Sequence, residues 1–425
     1  MSFMKRLFLL TVLMCSILLP LSGETTELVF GADLPADAAE RGEQLSVKLL
    51  TVGQGDPVYL WYGHIALVIE DHARERNLIF DFGVFDFKQQ NFYTNFAMGR
   101  LYYRVVATYL EPRIMNIEAQ RRNSRMLTLN LPPEKRYALY SYLLTHIQEE
   151  HAVYLYHHYY DNCSTRIRDV IDYAVDGQLS KWAKTIESEF TYRQHIRRYS
   201  EAGPAMDFLL NFLQSSVIDR PITLWDEFFL PDRLERALLD FTYFDENGET
   251  RDLVTGSQVV TTFESRNGIP ENKGAPWGYA LLIGTAWAGL GVLMIMKMGR
   301  RGEGFFHIVH GLVLGVLGTV LLFMMVATDH DVTYGNMNIL LANPMHLVIA
   351  IGGILMLFKR KSARRFIRIG YIGTLVLTCF LPAAQLLSTF NQHNQLSAAL
   401  IIPGNIILGA YILAAYIKER KLWNV

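Results

Sequence analysis

Cysteine is scarce in this chain: 425 residues carry three. Cys15 and Cys379 fall in hydrophobic runs that read as membrane-embedded, so Cys163 is alone in its compartment. It has no intramolecular disulfide partner and no second thiol for a metal site, which excludes a disulfide framework and a cysteine-bound zinc. Histidine does not fill that gap. His151, His157 and His158 lack a helical i, i+4 ligand pair followed by a third ligand at a familiar spacing, so zinc is disfavoured and no metal is expected. An excess of one charge is also missing: the net charge is −1 and no basic stripe crosses the first half, so nucleic acid is not expected as a partner. No internal repeat and no low-complexity tract interrupts the sequence.

What is present is a split. The mean hydropathy of +0.14 averages a mixed polar and aromatic region up to about Asn272 with long apolar runs beyond Trp277. Lys5 and Arg6 precede the apolar run Leu7 to Leu21, and Ser22-Gly23 offers small residues to a peptidase, so residues 1–23 read as a signal peptide or an N-terminal anchor. Five candidate spans follow the polar region: Gly278 to Met298, Phe305 to Ala327, Ile339 to Phe358, Ile369 to Ser388 and Ala399 to Ile417. Each is close to the roughly 20 residues that cross a hydrocarbon core. Lys297, Arg300 and Arg301, then Lys359 to Arg368, then Lys418 to Lys421 alternate with loops that carry Asp329 and Asp331 or no Lys or Arg. The positive-inside rule then places the C-terminus in the cytoplasm and the domain of residues 24–245 outside it. Residues 246–276, with scattered Gly, Pro and charges, read as a linker to the membrane domain of residues 277–425.

The outer domain reads as α+β. Leu45 to Val52, Gly63 to Glu70, Asn77 to Gly83, Leu101 to Tyr109, Arg125 to Leu129 and Val153 to Tyr156 are strand-like. Helices are expected at about Gln89 to Met98, from Pro132 or Pro133 to about Glu150, and from Cys163 to Val175 with Ile167, Val170, Ile171 and Ala174 as the buried stripe. The Phe and Tyr richness of Phe82 to Tyr103 reads as core, and His157 and His158 as loop or surface residues. Cys163 therefore opens a helix, where the N-terminus favours a thiolate, and it is the candidate nucleophile. His64, on a strand after Gly63, is the candidate base. If Glu70 faces Asn77 and Ala66 faces Asp81, Asp81 is the diagonal neighbour of His64 and takes the third role of a triad. A register slip of one residue would bring in Asp86 instead. Asp161 and Asn162 cap the helix.

At these residues the chain resembles a known group. A strand bearing Gly-His, a second strand with a polar group and a helix opening Asn-Cys is the order of permuted papain-like, NlpC-like and lecithin:retinol acyltransferase-type enzymes. More closely, Tyr62-Gly63-His64-Ile65-Ala66-Leu67, Phe82 to Phe87, Asn91-Phe92-Tyr93, Tyr160-Asp161-Asn162-Cys163-Ser164, Thr223 to Pro231 and Asn338 to His346 resemble the Lnb-type lipoprotein N-acyltransferase family. The resemblance implies a permuted papain-like periplasmic domain ahead of five transmembrane helices in the bacterial inner membrane. It implies acyl transfer from a membrane phospholipid, through a Cys163 thioester formed with His64 as base, to the α-amine of a diacylglyceryl-cysteine apolipoprotein. No cofactor is needed. Tyr62, Asn162, Asn343 and His346 are the candidate substrate-binding residues, the last two as part of an outer-loop substrate mouth. A Cys-His amidase acting on peptidoglycan and a non-catalytic envelope scaffold are the alternatives.

Overall fold

The computed structural model describes residues 34–200, 203–266, 268–270, 277–387 and 390–423; the targeting segment expected at residues 1–23 lies outside them. The strands of the outer domain are β1 (Leu45–Val52), β2 (His64–Asp71), β3 (Arg76–Val84), β4 (Tyr102–Tyr109), β5 (Ser124–Leu129), β6 (Val153–Leu155), β7 (Thr242–Phe244), β8 (Thr250–Asp252) and β9 (Val254–Thr261). Its longer helices are α1 (Leu110–Ala119), α2 (Pro133–His146), α3 (Cys163–Ala174), α4 (Tyr192–Ser200), α5 (Pro204–Leu213) and α6 (Pro231–Asp240). Seven strands form one antiparallel sheet in the order β6-β4-β3-β2-β1-β5-β9, and β7 pairs with β8.

The sheet is covered on both faces, and alternation along its central strands decides which residue faces which layer. Val47, Leu49, Ile65, Leu67, Phe80 and Phe82 pack against Leu139 of α2, Ile167, Val170 and Ile171 of α3, and Leu234 of α6. The intervening residues Leu50, Val52, Ala66, Val68 and Ile79 pack against Ile117, with Leu110 and Ile114 beside it, on α1. His64 and Asp81 belong by alternation to this second face. The expected register is the observed one, with Glu70 opposite Asn77 and Ala66 opposite Asp81.

Two sequence expectations change. The segment 246–276 is not simply a linker, because Val254–Thr261 joins the sheet as an edge strand beside β5. Its side chains are largely exposed, so it carries no apolar alternation for a sequence reading to detect. The helix α1 was also absent from the sequence reading, although Leu110, Ile114 and Ile117 have helical spacing.

Among the described residues, five helices are long and apolar enough to cross a membrane: Trp277–Lys297, Gly299–Ala327, Met337–Leu357, Ala363–Gln385 and Gln395–Lys418. The outer domain is joined to the loops between them. Asn336 and Asn338 both donate through Nδ2 to the Phe212 carbonyl at the end of α5, at 2.9 and 2.8 Å. The Gln392 amide donates to the Gln214 carbonyl, and His157 Nε2 lies 3.0 Å from Asp331 Oδ1. Phe208 and Phe212 of α5 pack against Leu321, Leu341, Leu381 and Ile401 of the bundle. The domain is thus held at the loop end of the spans.

Candidate active site

The site forms where β1 ends, β2 begins, β3 ends and α3 starts. Asn162 fixes that helix start. Its Oδ1 accepts from the backbone N–H of Ser164 at 2.8 Å and Thr165 at 2.9 Å, and Thr165 Oγ1 accepts in return from Asn162 N–H at 2.8 Å. A cap of this kind contributes about 1 kcal/mol. Asn162 Nδ2 donates to the His158 and Phe229 carbonyls at 2.7 and 2.9 Å. With both its amide protons and its oxygen committed, Asn162 positions Cys163, which corrects its expected role as a substrate ligand. The cap uses the N–H groups of Ser164 and Thr165, not that of Cys163.

Cys163 is partly buried. The strand β3 approaches it through a bulge, where the register against β4 shifts between Asp81 and Val84. Gly83 in this bulge has φ +80°, a conformation that favours glycine. A Cβ built there would lie 3.7 Å from Cys163 Cβ and 3.4 Å from the Tyr156 ring. A Cβ would fit at contact distance, so it is the positive φ that calls for glycine beside the thiol.

His64 lies between the other two groups. Its Nε2 is 2.6 Å from Asp81 Oδ1, which leaves Nδ1 for the hydrogen bond between His64 and Cys163. Burial pushes the imidazole down, but negative charge on Cys163 and hydrogen bonds with Asp81 and Cys163 outweigh it, and His64 is raised to about 9. Asp81 is buried; burial alone would raise its carboxyl, yet the bond to His64 and the charges of His64 and Arg113 hold it below its usual range. Asp86, the alternative third member, is exposed and accepts the Lys88 N–H at 2.8 Å in a turn beyond the strand.

Arg113 is the largest omission of the sequence reading. Its Nη2 lies 3.1 Å from the same Asp81 oxygen that His64 binds. It projects from α1, the helix that the sequence reading lacked. A second arginine, Arg122, is fully buried; its Nε donates to the Gly53 carbonyl at 2.9 Å, while Nη2 has no partner among the described residues. Burial and the charges of Arg113 and Arg266 lower it to about 10, and the charge of Cys163 acts the other way, which places a cation within electrostatic reach of the sulfur.

An aromatic wall surrounds the thiol. Tyr154 and Tyr156 sit by Cys163, and burial raises both phenols well above their usual range. Tyr62 stacks on Tyr199 with ring centroids 5.6 Å apart and meets the His158 ring edge-on at 4.6 Å. His158 therefore sits in a turn, as expected, but half-buried against these rings. Burial, with the charge of His157 next, lowers it to about 3, so its apolar enclosure keeps it neutral. Asn343 and His346 lie elsewhere, buried in the bundle. His346 Nε2 is 3.1 Å from Asn405 Oδ1, its Nδ1 is 3.2 Å from the Asn343 carbonyl, and Asn343 Oδ1 accepts the Met345 N–H at 3.1 Å. These partners all belong to the membrane domain, so the pair ties spans together and does not line an open mouth. Among the described residues, no group of three or more His, Cys, Asp and Glu is arranged to hold a metal ion.

The motif Thr223–Pro231 supports the site from behind. Glu227 is fully buried and binds Arg233, Ser188 and His195, with Nε2 of His195 at 2.9 Å. That anchor fixes the turn whose Phe229 carbonyl holds Asn162.

The sheet, the capped thiol helix and the five spans meet in two family models. The Lnb N-terminal periplasmic domain matches residues 36–198, and the Lnb transmembrane domain matches residues 274–420. No curated protein and no solved structure gives a significant match. The two matches follow one another and take in most of the chain, the first covering six of the seven strands of the sheet with Cys163, His64 and Asp81 and the second all five spans. The chain is a member of the Lnb family: an inner-membrane protein with a periplasmic α/β domain ahead of five apolar helices.

Proposed function

We propose that this protein is a lipoprotein N-acyltransferase. The observation that carries the reading is the line Cys163–His64–Asp81, held at a capped helix start on a domain joined by hydrogen bonds to the loops of five spans. His64 takes the thiol proton through Nδ1 while Asp81 fixes the ring and stabilises the imidazolium. The Cys163 sulfur attacks an ester carbonyl of a phospholipid, forming the C–S bond. As the C–O bond breaks, the leaving alkoxide takes the proton from His64, and lysophospholipid departs. The α-amine of a diacylglyceryl-cysteine lipoprotein then attacks the thioester. The C–N bond forms, the C–S bond breaks, and His64 accepts the amine proton as the thiolate is regenerated.

The N–H of Cys163 at the helix start supplies one donor to the oxyanion, and Arg122 adds positive charge nearby. The chemistry draws on the chain's own side chains, one backbone N–H and the two substrates. Both substrates live in the membrane, which gives the spans a purpose. The same reading puts the C-terminal Lys418, Arg420 and Lys421 in the cytoplasm.

The test weighs lipoproteins from a deletion strain complemented with the wild-type chain or with Cys163→Ser. The wild type restores lipoproteins carrying one more acyl chain, and Cys163→Ser does not. Unchanged lipoproteins accompanied by altered muropeptides would overturn the proposal in favour of an amidase.

A further inference from the structure

The aromatic segment expected to be core is only half buried, and its exposed part points to a substrate path. Tyr93 is 72% exposed, Tyr59 53%, Phe96 51% and Phe87 49%, on and around the short helix Phe92–Ala97. These rings are one cluster: Phe87 lies 5.2 Å from Phe92 and 6.0 Å from Tyr59, and Phe92 lies 6.1 Å from Phe96.

The position of the cluster is fixed by backbone contacts to the membrane domain. The Asp329 N–H donates to the Met98 carbonyl at 2.8 Å, His330 Nε2 lies 3.1 Å from the Phe96 carbonyl, and Arg100 pairs with Asp329 at 2.8 Å. Gly99 makes that contact possible: a Cβ there would lie 2.7 Å from the Asp329 backbone. Asp329 is two residues beyond the end of the second span, Gly299–Ala327. Two residues reach at most about 7 Å even when extended. The headgroup layer on one side of a bilayer is roughly 5–8 Å deep. The short helix and its exposed rings therefore lie at the height of the lipid headgroups, where Tyr is favourably placed.

The cluster is continuous with the thiol. Phe92 stacks on Phe85 at 5.9 Å, Phe85 on Tyr103 at 4.9 Å, and Tyr103 packs on Tyr156 at 4.5 Å. Tyr156 in turn lies beside Gly83, as Cys163 does, and within electrostatic reach of the thiol. A line of aromatic faces thus runs from the short helix toward the sulfur, with Tyr103 and Tyr156 at its inner end and Tyr93 at its exposed end.

We propose that this aromatic lip receives an acyl chain of an outer-leaflet phospholipid and leads it to Cys163. The inference rests on the acyltransferase reading and names where its donor enters. The experiment places photoreactive benzoylphenylalanine at Tyr93, at Phe96 or at Tyr109, in the full chain carrying Cys163→Ser. Tyr109 is the control, since it is 60% exposed at the opposite end of β4 from Tyr102. The proteins are reconstituted in phospholipid nanodiscs whose lipid is tritiated in its acyl chains, then illuminated. Label is expected on the Tyr93 and Phe96 derivatives at tenfold or more the yield at Tyr109. Equal yields at the three positions overturn the proposal. Because capture needs no turnover, the lip stands or falls separately from the mass measurement on lipoproteins.

Discussion

The domain contains two buried histidine–carboxylate pairs, and they behave in opposite ways. His64 lies 2.6 Å from Asp81 with Arg113 on the same carboxylate; His195 lies 2.9 Å from Glu227 with Arg233 on that one. The residue types match. The difference lies at the second ring nitrogen. His64 Nδ1 is left for the Cys163 thiol, and the imidazole is raised to about 9. His195 Nδ1 is 3.2 Å from Arg198 Nη1, a donor, and burial together with the charges of Arg198 and Arg233 lowers the ring. One histidine is poised to hold a proton beside a nucleophile, while the other is kept neutral as a hydrogen-bonded support. A histidine–carboxylate pair is therefore no sign of catalysis until the group at the remaining nitrogen is known.

Removing one member of each pair should give the largest and opposite effects. His64→Ala should lower acyl transfer by about 10²–10⁴-fold, the usual contribution of a general base, with a smaller fall in the midpoint of thermal unfolding in detergent than Glu227→Gln, because Arg113 still pairs with Asp81. Glu227→Gln should do the reverse. Glu227 is lowered to about 2, because its bonds to His195 and Ser188 and the charges around it outweigh burial. Removing one partner of a buried pair destabilises by roughly 3–5 kcal/mol, so the variant should unfold at markedly lower temperature. If His64→Ala unfolds the domain and Glu227→Gln leaves it intact, the assignment of roles is reversed.

The next effect is on pH dependence. The folded value of His64, about 9, lies above its ordinary 6.5. Its proton therefore stabilises the fold fully below pH 6.5, and that contribution is lost as pH rises through about 9. The imidazolium is also the acid that serves the leaving alkoxide, so the rate of Cys163 acylation should fall on the alkaline side near pH 9. Asp81→Asn removes a charge and a charged acceptor that both favour the imidazolium. The alkaline limb should then move toward neutral by at least about one pH unit, equivalent to ~1.4 kcal/mol. An unmoved limb would assign the proton to another group.

Much of this was legible in the sequence, for identifiable reasons. The strands β1 to β3 are apolar runs buried on both faces and so stood out as strands, but their pattern left two registers open, and the pairing of Ala66 with Asp81 selects Asp81 over Asp86. Cys163 stood out because it was alone, and the spans because twenty apolar residues have few other uses. The missing parts share a cause. Arg113 sits on a ten-residue helix containing Pro112, which reads as a breaker although Pro is tolerated in a first turn. The edge strand Val254–Thr261 has no buried face. The burial of His158 and the exposure of the rings around Tyr93 were missed because burial there is decided by contacts between distant segments, namely Tyr62 with His158 and Asp329 with Met98.

The smallest effect separates Arg113 from the catalytic groups. Its guanidinium touches Asp81 and not the thiol in the described contacts, so it is a positioning residue. It holds the Asp81 carboxyl down, after the stronger influence of His64. Arg113→Met should cost about 1 kcal/mol of this partly exposed pair, roughly fivefold in rate. Its diagnostic is the acid limb. With the guanidinium gone, Asp81 takes up its proton at a higher pH, and activity should fail earlier as the medium is acidified. Arg113→Lys, which keeps the charge, should restore most of that limb. Loss of α1 packing alone would lower the rate at every pH and leave the limb where it was, and lysine would offer no rescue. The outcome therefore decides whether Arg113 acts on Asp81 as Arg233 acts on Glu227, by charge, or whether the two arginines differ as sharply as the two histidines they serve.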